Sequence, residues 1–169
     1  MPGQLLETHV PAEPMAELSG IYRHVGAGGT VIRPTKEGPA MLFHKIKGHP
    51  DAKALIGLLA SRKRAAALLD RPPEQLGWKL CECAENPIQP VSINGKGECQ
   101  EVVHKAGSAD FDLRKLVPAP TNTPEDAGPY ITLGMCYASH PDTDQSDVTI
   151  HRLCIQGKDE LSIFFTPGA

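Results

Sequence analysis

Seven consecutive residues, Ser146-Asp147-Val148-Thr149-Ile150-His151-Arg152, hold the types best suited to gripping a charged ligand. On a strand, Asp147, Thr149 and His151 face one side, while Val148, Ile150 and Arg152 face the other. Asp147 stands where a turn enters that strand, so its carboxylate and nearby carbonyls can converge on a cation. A hard ion such as Mg²⁺ or Mn²⁺ favours such oxygens and often bridges them to a phosphate. Arg152 is flanked by apolar Ile150 and Leu153. A guanidinium embedded among apolar side chains needs an anionic partner, because an unpaired buried charge is costly. That partner is either a structural carboxylate or the carboxylate or phosphate of a ligand.

Other chemically suggestive groups read more plainly. Gly26-Ala27-Gly28-Gly29 follows a helical pattern and precedes an extended one, the reverse of a phosphate loop, so it reads as a helix stop. Cys81 and Cys83 are two apart on a helical pattern and point away from each other, so with Cys99 they do not form a zinc set. Arg62-Lys63-Arg64 reads as the solvated face of a short helix, with contact to an anionic partner or a neighbouring subunit as the sharper alternative. No His-Glu-x-x-His and no Gly-x-Ser-x-Gly occurs, and the seven histidines are scattered.

The elements that must position these groups are short, because 16 Gly and 16 Pro cut the chain into small pieces. A strand is expected from Leu5 to Val10, then a helix opened by Pro14 with Leu18, Ile21, Tyr22 and Val25 on one face and Gly26 as its stop. Thr30 to Arg33 reads as extended before Pro34. Ala40 to Ile46 reads as a buried strand, Ala54 to Leu59 as another, and Ser61 as the cap of a helix running to Leu69. Pro73 opens a helix to about Ala84, Asn86 to Pro90 is a linker, and Glu98 to His104 alternates like a weak strand. Asp112 to Leu116 is a helical turn, followed by a proline-stiffened stretch to Pro124. Tyr130 to Ala138, Val148 to Ile155 and Glu160 to Thr166 then form an antiparallel meander.

Composition narrows the function classes. The 169 residues carry a net charge of −3, which argues against a general nucleic-acid binder. Residues 1–85 hold 11 basic and 9 acidic groups, whereas residues 86–169 hold 6 and 11, so the two halves differ in character. No apolar run is long enough for a membrane helix, and the first residues lack a basic head and apolar stretch of a secretory signal. Five cysteines at irregular spacing read as reduced thiols of a cytoplasmic protein.

The run from Pro118 to Thr132, the segment from Ser146 to Arg152, and the stretches from Ala16 to Thr30 and from Gly38 to Phe43 resemble the UbiD family of carboxylases and decarboxylases. They are most similar to the branch acting on gallate and protocatechuate (3,4-dihydroxybenzoate). The resemblance covers nearly the whole chain. It implies an α+β architecture in two parts: an N-terminal α/β domain over residues 1–117, and over 118–169 the first antiparallel strands of a split β-barrel of the flavin-reductase type, incomplete in this chain.

The resemblance also implies a cofactor and a chemistry. The family uses prenylated FMN, held through its phosphate by Mn²⁺ or Mg²⁺ and often K⁺, and the flavin is supplied by a flavin prenyltransferase. Asp147 stands where many members have an Asn metal ligand, five residues before the matching Arg152. Thr149, Ile150, His151 and Arg152 match the segment lying along the flavin, and Thr132 matches the substrate-pocket wall. The implied reaction is non-oxidative decarboxylation of a phenolic acid: the ring carbon bearing the carboxylate attacks the modified flavin, CO₂ leaves, and the carbon is protonated. Arg152 is the expected catalytic residue, orienting the carboxylate. The family's Arg-His pair, acidic metal ligand, phosphate-binding Lys and catalytic Glu residues have no match here. An N-terminal helix ahead of Leu5 is also missing. The expectation is therefore an N-terminal portion without decarboxylase activity of its own, self-associating through its open barrel edge. The alternatives are a non-catalytic assembly module and a flavin-binding barrel completed by a partner chain.

Overall fold

The computed structural model describes residues 3–26 and 37–165. Ala27, Gly28 and Gly29 of the glycine-rich corner, the extended stretch from Thr30 to Arg33, and Thr166 lie outside the described residues. The described residues form two small three-stranded sheets with four α-helices among them.

The first sheet has the order β1 (Leu5–Thr8), β2 (Ala40–Phe43), β3 (Ala54–Ile56), with β1 parallel to β2 and β3 antiparallel to it. Its central strand is the apolar run expected to be buried, and Phe43 is completely inaccessible. Helix α1 (Glu17–Val25) crosses this sheet. Leu18, Ile21 and Tyr22, at helical spacing, pack it against Met41, Phe43 and Ile46. Burying a side chain of the size of Phe43 contributes roughly 1.5–3 kcal/mol.

The start of α1 differs from expectation. The helix begins at Glu17 rather than Pro14, because Met15 forms a parallel bridge to Thr121 and Ala16 turns the chain at φ 59°. Ala16 N–H donates to the Thr121 carbonyl at 2.7 Å, and the Ser19 hydroxyl donates to the Asn122 carbonyl at 2.6 Å. Tertiary pairing has taken the residues that would form the first turn. Gly26 does end the helix, its N–H donating to Tyr22 at 2.7 Å.

Strand β3 stops early at Ile56. Gly57 has φ 75°, the left-handed region that favours glycine, and a Cβ there would run into the Tyr22 ring. A 3₁₀ turn over Leu58–Ala60 follows. Ser61 then caps α2 (Arg62–Leu68), its hydroxyl accepting from Arg64 N–H at 3.2 Å. The reading of residues 62–64 as a solvated face is corrected at Arg64, which is only 5% exposed. Its guanidinium donates to the carbonyls of Gly38 (2.8 Å), Gly57 (2.8 Å) and Leu58 (3.2 Å) and to Gln4 Oε1 (3.1 Å). These acceptors flank the ends of all three strands of the sheet, so the burial is structural.

Pro73 opens a 3₁₀ turn that continues into α3 (Leu76–Glu85), where Cys81 and Cys83 are exposed free thiols. The expected strand at Glu98 to His104 does not form. Gln100 Oε1 accepts from Gly97 N–H at 2.9 Å and draws Glu98–Gln100 into a 3₁₀ turn. Val102 and Val103, 69% and 63% exposed, find no strand to pair with.

Helix α4 (Leu113–Leu116) is capped by Asp112, whose carboxylate accepts from Arg114 N–H at 3.0 Å and from the Arg114 guanidinium twice at 2.8 Å. The Arg114 hydrogen bonds pull the Asp112 carboxyl from its ordinary 3.8 down to about 2. A depressed carboxyl stabilises the folded state above its unfolded pKa, and that contribution disappears as pH falls through the folded value. The α4 cap is therefore expected to be fully effective above about pH 4 and lost between about pH 4 and 2. An NMR titration of the Asp112 carboxyl checks this, and a midpoint near 4 would show that the ion pair does not hold in solution.

The second sheet is the expected antiparallel meander, in the order β4 (Tyr130–Ser139), β5 (Ser146–Ile155), β6 (Leu161–Ile163). Cys154 and Ile155 are buried at its base, but Met135, Tyr137, Ile150 and Phe164 are 65–78% exposed. This sheet does not close on itself among the described residues.

Candidate functional site

Strand β5 carries the charged segment, and its pairing with β4 decides how that segment is presented. Ile131 pairs with Leu153 and Gly134 with His151, so Thr132 and Leu133 together stand opposite Arg152 alone. This is a β-bulge, which bends the strand and re-aims the extra side chain. Gly134 makes it possible, since a Cβ there would lie 2.8 Å from a Leu153 methyl and 3.0 Å from the His151 carbonyl. A glycine inside an apolar strand was the available sequence signal for this feature.

The bulge brings two of the sequence candidates together, Thr132 and Arg152. It also places Thr132 and Leu133 in the wall of an open cleft of about 1070 Å³ between the two sheets. Asp147 sits at the other end of β5, five residues and roughly 17 Å along the strand, on the opposite face from Arg152. Its Oδ1 accepts from Val148 N–H at 2.7 Å. His151 meets the ring of Phe165 edge-on at 5.1 Å between centroids. Thr149 and Ile150 are exposed. Neither they, Asp147, His151 nor Arg152 is among the residues lining the cleft.

Arg152 differs from its expected setting. The sequence suggested a guanidinium embedded among apolar groups, but it is exposed and forms no ion pair among the described residues. The reason is the open sheet: among the described residues, nothing is stacked over Met135 and Ile150, which are 75% and 65% exposed. Water solvates the charge, so no structural carboxylate is required, and the group is available to an anionic ligand.

The residues present fit part of a cofactor site. The exposed apolar strip of Ile150 and Met135, ending at a free cation, suits one wall against a flat aromatic ring that bears an anion. They do not make a metal centre, because the described residues contain no group of three or more His, Cys, Asp or Glu that could hold an ion. Asp147 offers one oxygen donor. Sequence reasoning missed the cleft itself, whose lining includes Tyr22, Arg23, Lys53, Asn122 and Thr123. These residues come from distant segments and share no motif.

Comparison with known proteins addresses the fold and the family of the chain. Residues 1–84 match the 3-octaprenyl-4-hydroxybenzoate carboxy-lyase N-terminal domain, and residues 91–169 match the Rift-related domain of the same family. Gallate decarboxylase of Lactiplantibacillus plantarum is 51% identical over 163 residues, which is 96% of this chain and 33% of that enzyme. The crystal structure of apo Klebsiella pneumoniae 3,4-dihydroxybenzoic acid decarboxylase superposes with a TM-score of 0.90 at 51% identity, over 100% of this chain and 35% of that one. An evolved dimeric form of the UbiD-class enzyme HmfF from Pelotomaculum thermopropionicum, in complex with prFMN, superposes with a TM-score of 0.81 at 29% identity, over 98% of this chain and 36% of that one. The chain thus spans about a third of the length of these relatives. No helix among the described residues is long and apolar enough to cross a membrane. With both of its sheets falling within matched domains of one family, the chain belongs to the UbiD (3-octaprenyl-4-hydroxybenzoate carboxy-lyase) family.

Proposed function

We propose that this chain is the N-terminal part of a prenylated-FMN-dependent, non-oxidative decarboxylase of a phenolic acid of the gallate or protocatechuate class. The observation that carries this reading is the 51% identity to gallate decarboxylase over nearly the whole chain. The 0.90 superposition on 3,4-dihydroxybenzoic acid decarboxylase supports it. The meander of β4–β6 is the opening of a split barrel, with the boundary between the two parts at residues 117 and 118. Its exposed apolar faces favour self-association. Reduced, unpaired thiols suit a cytoplasmic setting.

Prenylated FMN, when bound, supplies the electron sink for loss of CO₂. The residues of this chain do the holding. Arg152 offers a planar pair of N–H donors to the substrate carboxylate, which loses its charge as CO₂ departs. Holding that group fixes the scissile bond relative to the ring, which is an orienting role. Of the segment matched to the flavin, Ile150 shares the face of Arg152 and would form the wall, whereas Thr149 and His151 lie with Asp147 on the other face of β5 and would reach the cofactor only around the strand; Thr132 offers its hydroxyl at the adjoining cleft. Asp147 would offer one oxygen to a Mn²⁺ or Mg²⁺ ion, and K⁺ would be a further cation beside the flavin phosphate. A divalent ion needs more donors than this, so the remaining ligands come from outside the described residues.

Two measurements test the reading. Replacing the matching third of the Klebsiella enzyme with these 169 residues, in cells that also make a flavin prenyltransferase, is expected to give a chimera that releases CO₂ from protocatechuate or gallate. A folded, flavin-loaded chimera with no such activity would refute the substrate assignment. The 169-residue chain purified from the same cells is expected to show little bound flavin and no turnover. Robust turnover by that chain alone contradicts its proposed incompleteness.

A further inference from the structure

The cleft beside the bulge has a distinctive electrostatic character. Its walls are largely apolar and include Leu18, Tyr22, Ile56, Leu58 and Leu133, which suits an aromatic ring. Two cationic side chains from separate elements also line it, Arg23 in the last turn of α1 and Lys53 just before β3. Neither forms an ion pair among the described residues. A third positive charge lies behind the wall. Arg64 is 5% exposed and bonds four neutral oxygens, so no carboxylate among the described residues neutralises it. Three of those acceptors belong to Gly38, Gly57 and Leu58, which themselves line the cleft. A buried, uncompensated guanidinium projects its field where water is thinnest. Against these three cations the lining offers one carboxylate, Glu37.

We propose that this cleft binds a phenolic carboxylate, with Arg23 and Lys53 capturing its carboxylate. The choice of ligand class rests on the decarboxylase reading above; the site itself rests on the geometry. The ring lies against the apolar walls, the carboxylate meets Arg23 and Lys53, and Glu37 accepts a hydrogen bond from a ring hydroxyl. Asn122, Thr123 and Thr132 also line the cleft and supply further polar groups. The segment carrying Asn122 is fixed there by the Ser19 hydrogen bond to its carbonyl. Thr132 also belongs to the bulge opposite Arg152, which does not itself line the cleft. The cleft, at about 1070 Å³, is larger than one ring requires. A flavin phosphate offers similar anionic chemistry, and the two sources are separable by experiment.

The test is calorimetric titration of the full chain with protocatechuate, with catechol as its uncharged counterpart, and with FMN. Both targeted side chains are at the surface or half-buried, so Arg23→Gln/Lys53→Gln should fold, and circular dichroism checks this; Lys53→Gln alone is the reserve variant. Protocatechuate is expected to bind the parent chain roughly tenfold more tightly than the double variant, as loss of charge-assisted contacts predicts, with catechol unaffected. Its binding should also weaken with added salt. No binding of protocatechuate by the parent chain overturns the proposal, as does equal binding by the folded variant. Loss of FMN binding with protocatechuate unchanged assigns the cleft to a phosphate and also overturns it. An inactive chimera alongside charge-dependent protocatechuate binding refutes the decarboxylase reading and leaves this site standing.

Discussion

Arg64→Met is expected to destabilise the chain by about 3 kcal/mol, the loss appropriate to removing charge-assisted hydrogen bonds and leaving buried acceptors unpaired. The guanidinium bridges Gln4 before β1, Gly38 before β2, and Gly57 and Leu58 after β3. Methionine fills a similar volume but returns none of those bonds. Relief of the charge's own desolvation offsets part of the loss, which keeps the expected figure below a simple sum over four contacts. Arg64→Lys keeps the charge yet cannot reproduce the planar fork, so it should fall between the two. Urea unfolding reads the effect as a lower midpoint at unchanged slope. A methionine variant within about 0.5 kcal/mol of the parent, the range of an ordinary surface substitution, would show that the clamp contributes nothing.

The second large effect concerns Arg152. In the active chimera, Arg152→Gln is expected to lower kcat/KM for protocatechuate by roughly 10²-fold, the scale of loss when a reacting group is misplaced by about an ångström. The exposed position of this side chain makes the experiment clean. It forms no ion pair among the described residues, so its removal leaves no buried partner stranded and stability should hold. Arg152→Lys should recover only part of the activity, because a point charge does not orient a carboxylate through two parallel bonds. Activity within twofold of the parent in the glutamine variant would remove Arg152 from the reaction.

Neighbouring residues were enough to specify much of this molecule. Ser61 before a helical run, Asp112 before another, Gly26 after α1 and the polar turns between β4, β5 and β6 all act within a few residues. Their structures match because capping and turn chemistry are local. The long family-like runs were equally visible, and with them the carboxy-lyase family.

What required the tertiary structure were the properties that depend on which distant segments meet. Nothing near Arg64 in sequence signals that Gln4, Gly38 and Gly57 converge on it, so it read as solvated. Arg152 failed in the opposite sense: apolar Ile150 and Leu153 suggested burial, but no layer among the described residues covers the face that Arg152 shares with Ile150. The first turn expected from Pro14 was lost to pairing with Thr121, and the weak alternation of Glu98 to His104 finds no strand to join among the described residues. Arg23, Lys53 and Thr132 came to one cleft by the same means. Local pattern reports what a segment prefers, whereas burial, pairing and field are set by the partners that folding brings to it.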